Sequence, residues 1–181
     1  MELIISACQI LAKEQNIKRH NRVCAQLQFN ICKETGVKSD NKHWYDHVPK
    51  SVGTSREGKV TILWSQQMQT DRTIPSKKPN IIISNNKKGT CMLIDDAVPG
   101  DKNVIKQEAK KNLKYRDLIT EIQRMWNMKA KVIPVIIGAT RTISKSLTQY
   151  LSNIRVLGKH EIKELQKAAV LVTAHTYCRK C

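Results

Sequence analysis

The stretch Lys78-Pro79-Asn80-Ile81-Ile82-Ile83-Ser84, answered after Asn85-Asn86-Lys87-Lys88-Gly89 by Thr90-Cys91-Met92-Leu93-Ile94-Asp95-Asp96, decides the fold. A short apolar run bounded by proline on one side and by a polar segment ending in glycine on the other reads as a strand. Two such runs this close read as an antiparallel hairpin. In that pairing the start of the first strand lies beside the end of the second, so Lys78, Pro79 and Asn80 come alongside Ile94, Asp95 and Asp96. Side chains alternate between faces along a strand, so Asp95 and Asp96 are expected on opposite sides of the sheet. Asp96 then burdens the core with a charge, an expensive place for a carboxylate.

Outward from the hairpin, Val60, Ile62 and Trp64 alternate with Thr61, Leu63 and Ser65, the period of a half-buried strand. Downstream, Pro99 and Gly100 interrupt the chain, and Asp101 or Asn103 can cap a long helix reaching about Asn127. Ile105, Ala109 and Leu113, then Leu118, Ile122 and Met125, mark its expected buried side, with Trp126 placed in the core beside Met125. Lys131 to Gly138 reads as a continuous buried strand inside a sheet, and two shorter helices follow, Ser144 to Asn153 and Glu161 to Val172. Upstream, residues 1–35 read as two helical stretches. The second runs from Arg19 to Glu34 with Val23, Leu27 and Ile31 on one face and Gly36 as its stop.

The order of elements predicts an α/β fold of the mixed α+β kind: a central mixed sheet of about four strands flanked by helices. The chain divides into an N-terminal helical segment (1–36), a polar linker punctuated by Pro49, Gly53 and Gly58 (37–58), a main domain (59–175) and a short tail (176–181).

Lys and Arg total 32 against 15 Asp and Glu, a formal net charge of +17. That excess costs self-repulsion in a compact chain unless an anionic partner is present. Nucleic acid, DNA or RNA, is the expected partner. No membrane partner is expected, because the longest apolar run, Val132 to Ala139, is far shorter than the roughly 18 residues a span needs. Leu3 to Leu11 follows acidic Glu2 and lacks a basic lead-in, which argues against a signal peptide. Six scattered cysteines (Cys8, Cys24, Cys32, Cys91, Cys178, Cys181) do not form a disulfide framework. The expected setting is intracellular, and nuclear for a DNA-binding chain.

No intact zinc site is expected. Cys24 and Cys32, taken with His43 and His47, are eight residues apart where zinc-binding pairs use about three to five. Cys178 and Cys181 stand as a pair with no second pair, and His43, Trp44, Tyr45 and His47 read as surface or linker packing groups.

Carboxylates at adjoining strand ends, with lysines on the following helix, suit metal-assisted phosphodiester chemistry. Magnesium takes oxygen ligands, usually one or two carboxylates with water and a substrate phosphate. A nearby ammonium group positions water or offsets charge on the phosphate. The hairpin end offers Asn80, Asp95 and Asp96 as oxygen donors, Lys110, Lys111 and Lys114 follow on the helix as ammonium groups, and Lys77, Lys78, Lys110 and Lys111 are candidate phosphate contacts. The lysines also fit the ordinary meaning of a charge run, a solvated helix face.

The stretches Thr70-Asp71-Arg72-Thr73-Ile74, Lys78-Pro79-Asn80-Ile81-Ile82, Cys91-Met92-Leu93-Ile94-Asp95, Val98-Pro99-Gly100-Asp101 and Lys114-Tyr115 occur in a specific order and spacing. Together they resemble the restriction-enzyme-like, PD-(D/E)XK-type endonuclease domain at the C-terminus of LINE-type (non-LTR) retrotransposon polyproteins. The resemblance extends over nearly the whole chain. It implies a restriction-endonuclease-like fold and a magnesium- or manganese-dependent DNA endonuclease, linked in the family to a reverse transcriptase that this chain lacks. It also implies roles: Pro79 and position 80 as the Pro-Asp element, Asp95 as the second metal-binding carboxylate and Lys114, beside Tyr115, as the catalytic lysine. Asp71, Arg72 and Asp101 are further motif positions. Ile4 to Cys8 resembles the end of the family's zinc knuckle, with Cys8 as its last ligand and the other three absent.

Two departures bear on activity. Asn80 stands where the family has its first metal-binding aspartate, and an amide offers a carbonyl oxygen without charge. Asp96 stands where the family has an apolar residue. The expectation is an endonuclease domain impaired in cleavage; the alternative is a non-catalytic, basic DNA-binding remnant of the same kind of element.

Overall fold

The computed structural model describes residues 9–37, 50–55, 57–75, 78–138, 142–144, 146–147, 149–150, 160 and 162–168. The expectations that fall on Cys8, His43, Trp44, Tyr45, His47, Lys77, Cys178 and Cys181 lie outside these residues.

Helix α1 spans Gln9–Thr35 as one element of 27 residues, where two helical stretches were expected. Ala12, Lys13, Glu14 and Gln15 are strong helix formers, and no glycine or proline interrupts them. Gly36 ends the helix with φ +68°, and the Val37 N–H donates back to the Cys32 carbonyl at 3.1 Å, the reverse turn that a left-handed residue permits. Val23, Leu27 and Ile31 are buried along one face, as their spacing predicts.

The sheet has five strands, β1 (Val52–Thr54), β2 (Val60–Trp64), β3 (Ile81–Asn85), β4 (Thr90–Ala97) and β5 (Lys129–Ile136), lying side by side in that order. The first four pair antiparallel and β4 pairs parallel with β5, so the sheet is mixed. The expected β3–β4 hairpin forms, and its register sets Ile81 opposite Ile94 and Asn85 opposite Thr90. Strand β1 falls inside the stretch read as linker. Three residues are too few to show a period, and the mark of packing there is Gly53, where a Cβ would come within 2.7 Å of the Val37 side chain.

Strand β5 is an edge strand, not one inside the sheet. Pro134, paired with Asp95, has no N–H to offer a further strand, which suits an edge. Its continuous apolar run has another cause: both sheet faces are covered at β5, with Ile133 and Val135 in one core and Val132 in the other.

The single helix expected from Asp101 to Asn127 is three pieces: a 3-10 turn (Asp101–Asn103), α2 (Val104–Lys114) and α3 (Arg116–Trp126). Tyr115 joins α2 to α3 outside helical geometry, at φ −104° and ψ 6°, with its ring fully buried. The apolar ladder explains the break, because the step from Leu113 to Leu118 is five residues and puts the two halves out of phase. Leu118 and Ile122 turn inward as expected, whereas Ile105 and Leu113 are 79% and 68% exposed and Ala109 is exposed. Trp126, expected in the core, is exposed as well.

Two cores sandwich the sheet. On one face α1 packs Val23, Leu27 and Ile31 over Ile81, Ile83 and Ile94. On the other, Tyr115, Leu118 and Ile122 pack over Ile82, Leu93 and Val132. Each fully buried aliphatic side chain contributes about 1.5–3 kcal/mol relative to exposure. Asp96 shares the parity of Ile94 and so belongs to the α1 face, and Asp95 shares the parity of Leu93 and belongs to the face of α2 and α3. The fold is a mixed α/β arrangement with a five-stranded mixed sheet flanked by helices. Among the described residues, no helix is long and apolar enough to cross a membrane.

Candidate functional site

Asp95 lies near the C-terminal end of β4, 2% exposed, and meets two cations from α2. Lys111 Nζ lies 2.7 Å from its Oδ2 and Lys114 Nζ 3.4 Å from the same atom. Residues three apart share a helix face, which is why both reach one carboxylate. Lys111 also donates to the Asp96 backbone carbonyl at 3.2 Å. Lys114 donates to the Tyr115 hydroxyl at 2.7 Å, and that hydroxyl donates to the Lys78 carbonyl at 3.2 Å, tying the break between α2 and α3 to the start of the hairpin. Burial, and then the neighbouring Asp95, push the Tyr115 phenol far above its usual range, so it stays protonated and able to donate.

The structure thus brings together Asp95, Lys111, Lys114 and Tyr115, with Lys111 the closer of the two lysines. Lys78 and Lys110 are exposed, and Pro79 is buried. Asp71 is held by Arg124 at 2.8 Å. Arg124 also bonds buried Glu121 at 2.6 Å and, with Arg72 close by, holds that carboxyl below its ordinary value. Asp101 opens the 3-10 turn.

Asn80 goes elsewhere. One further step of the β3–β4 register would place it opposite Asp95, but the residue sits in a bend before β3. Its amide donates to Asp96 Oδ1 and, at 3.1 Å, to His20 Nε2. The Asp95 centre therefore offers one carboxylate facing two ammonium groups and no second oxygen donor from Asn80. These residues do not fit a magnesium ion, which needs oxygen ligands and is repelled by adjacent positive charge.

The opposite side of β4 carries a group that no spacing rule singled out. His20 and Cys24, one turn apart on α1, meet Asp96. The Cys24 thiol donates to Asp96 Oδ1 at 2.6 Å, His20 Nε2 lies 3.5 Å from the same oxygen, and Cys24 Sγ is 4.0 Å from that nitrogen. Asp96 is 1% exposed. Its Oδ2 has no hydrogen-bond partner among the described residues. Burial pushes the Asp96 carboxyl up, against the pull of His20, Cys24 and Asn80. Burial and then Asp96 push the Cys24 thiol up as well. The signal in the sequence was the four-residue spacing of His20 and Cys24, which places them on one helix face; their meeting with Asp96 needed the packing of α1 on the sheet.

Cys24, Cys32 and Cys91 are free thiols, and burial raises Cys91 to about 11, an unreactive core group. Cys24 and Cys32 share α1, two turns apart, and only Cys24 belongs to this cluster. Comparison of the sequence with protein-family models and with curated proteins gives no match.

Proposed function

We propose that the chain is a DNA-binding domain of the restriction-endonuclease-like, PD-(D/E)XK type, from a LINE-type element, whose metal-dependent cleavage is impaired. The observation that carries this reading is the pair of ammonium groups on Asp95, with Asn80 turned away to Asp96. Two lysines against one carboxylate leave an excess of one positive charge, set on a rigid helix beside exposed Lys78 and Lys110. Such a surface receives a phosphate: the ammonium groups supply charge-assisted hydrogen bonds, and the buried carboxylate holds them in place. The formal charge of +17 supplies the longer-range attraction for a polyanion. In a cell with a nucleus, the DNA partner makes the nucleus the place of action.

Impaired cleavage follows from the donor set. An aspartate at position 80 would be repelled by Asp96, while the strand register offers it the Asp95 side. The test compares the native chain with Asn80→Asp in duplex binding and in plasmid nicking with magnesium or manganese. The native chain is expected to bind duplex and to nick little, and the variant to nick at least about tenfold faster, the change that 1.4 kcal/mol makes in a barrier. Equal inactivity of the two would remove the nuclease element of the reading, and failure of the native chain to bind duplex would remove the reading altogether.

A further inference from the structure

We propose that His20, Cys24 and Asp96 bind a divalent transition-metal ion, zinc by the chemistry of its donors, and that the Asn80 carbonyl oxygen completes the set. This site lies on the opposite face of β4 from Asp95 and does not rest on the nuclease reading. Three donors of three types, an imidazole nitrogen, a thiol sulfur and a carboxylate oxygen, lie within 4.8 Å of one another. That combination is borderline-soft and suits zinc, where magnesium would take oxygen alone.

The spacing is close to what a tetrahedral ion requires. Zinc bonds of about 2.0–2.3 Å put neighbouring donors roughly 3.3–3.6 Å apart. The His20 to Asp96 separation is 3.5 Å and the Cys24 to His20 Nε2 separation 4.0 Å. The Cys24 to Asp96 contact, 2.6 Å, is a hydrogen bond through the thiol proton. That proton leaves when sulfur binds metal, and the pair opens by about an ångström to the spacing of a zinc site.

Three further observations point to a cation here. Asp96 Oδ2 is buried with no hydrogen-bond partner among the described residues, which leaves one carboxylate oxygen open to a cation. His20 Nδ1 lies 3.4 Å from Asn21 Oδ1 and donates to it, so the Nε2 lone pair, which accepts from the Asn80 amide, already points into the cluster. His20 is 39% exposed at its side chain, so an ion reaches the site from solvent. Asn80 needs only to turn its amide over, an exchange of near-isosteric nitrogen and oxygen. The bound ion pins α1 to the end of the sheet, so its binding energy adds to folding.

The test is cobalt(II) titration of the full, metal-stripped chain, followed by zinc competition. One equivalent of cobalt is expected to produce the intense visible d–d bands of a four-coordinate ion and the near-ultraviolet thiolate charge-transfer band, and zinc to bleach both. Cys24→Ser abolishes the charge-transfer band. His20→Ala, at a partly exposed position that leaves the far-ultraviolet circular dichroism native, weakens binding at least about tenfold. Cys178→Ser with Cys181→Ser leaves the spectrum unchanged. The proposal is overturned if no four-coordinate spectrum forms, if the charge-transfer band survives Cys24→Ser, if His20→Ala binds cobalt as tightly as the native chain, or if the spectrum vanishes on removal of Cys178 and Cys181.

Discussion

Asp95 and Asp96 are consecutive residues of one strand, both buried, and they live in opposite electrostatic worlds. On the face of α2 and α3, Asp95 is over-answered by Lys111 and Lys114. On the α1 face, Asp96 is under-answered, with hydrogen-bond donors from Cys24 and Asn80 at one oxygen and no partner among the described residues at the other. The alternation of a strand separates two identical side chains into two chemistries. As proposed, the first surface receives an anion and the second a cation.

The largest effect that would break this contrast is Asp95→Ala. Removing one member of a buried ion pair strands the others, and the expected loss is about 3 kcal/mol of unfolding free energy by urea titration. A loss below about 1 kcal/mol would mean that solvent screens the pair and that the lysines are ordinary surface charges. Asp96→Asn is expected to act with the opposite sign and less force, stabilising the metal-free chain in EDTA by about 1 kcal/mol, because a buried carboxylate with one unpartnered oxygen is removed. Adding zinc should reverse the order of the two proteins, since only the native chain then gains the ion's binding energy. If Asp96→Asn destabilises the metal-free chain as strongly as Asp95→Ala does, the contrast between the two faces is lost.

Much of the fold was legible. The hairpin, the approach of its two polar ends and the separation of Asp95 from Asp96 follow from short-range rules: strand alternation, an apolar run and a turn ending in glycine. The errors came where tertiary packing decided. The step from Leu113 to Leu118 put α2 and α3 out of phase, and the chain resolved it by breaking at Tyr115 and leaving Ile105 and Leu113 exposed. Strand β1 carries too few residues to show a period, and β5 looks central by its apolar run although Pro134 marks it as an edge.

At the site, the meeting of Asp95 with lysines of the next helix was readable from order along the chain. The direction of the Asn80 side chain was not, because a bend before β3 takes it out of the strand's alternation and hands it to Asp96. The His20 and Cys24 contribution was hidden for a different reason: α1 and β4 are more than seventy residues apart in sequence, and only packing joins them.

The account turns on whether the Asp95 face receives phosphate, and the salt dependence of duplex binding measures that most directly. For the native chain, log K should fall linearly with log salt. For Lys110→Ala combined with Lys114→Ala, the slope should be shallower by roughly 1–2 units, since each lost phosphate contact removes about 0.9. An unchanged slope, with binding intact, would contradict the account and place the nucleic-acid surface elsewhere on the molecule.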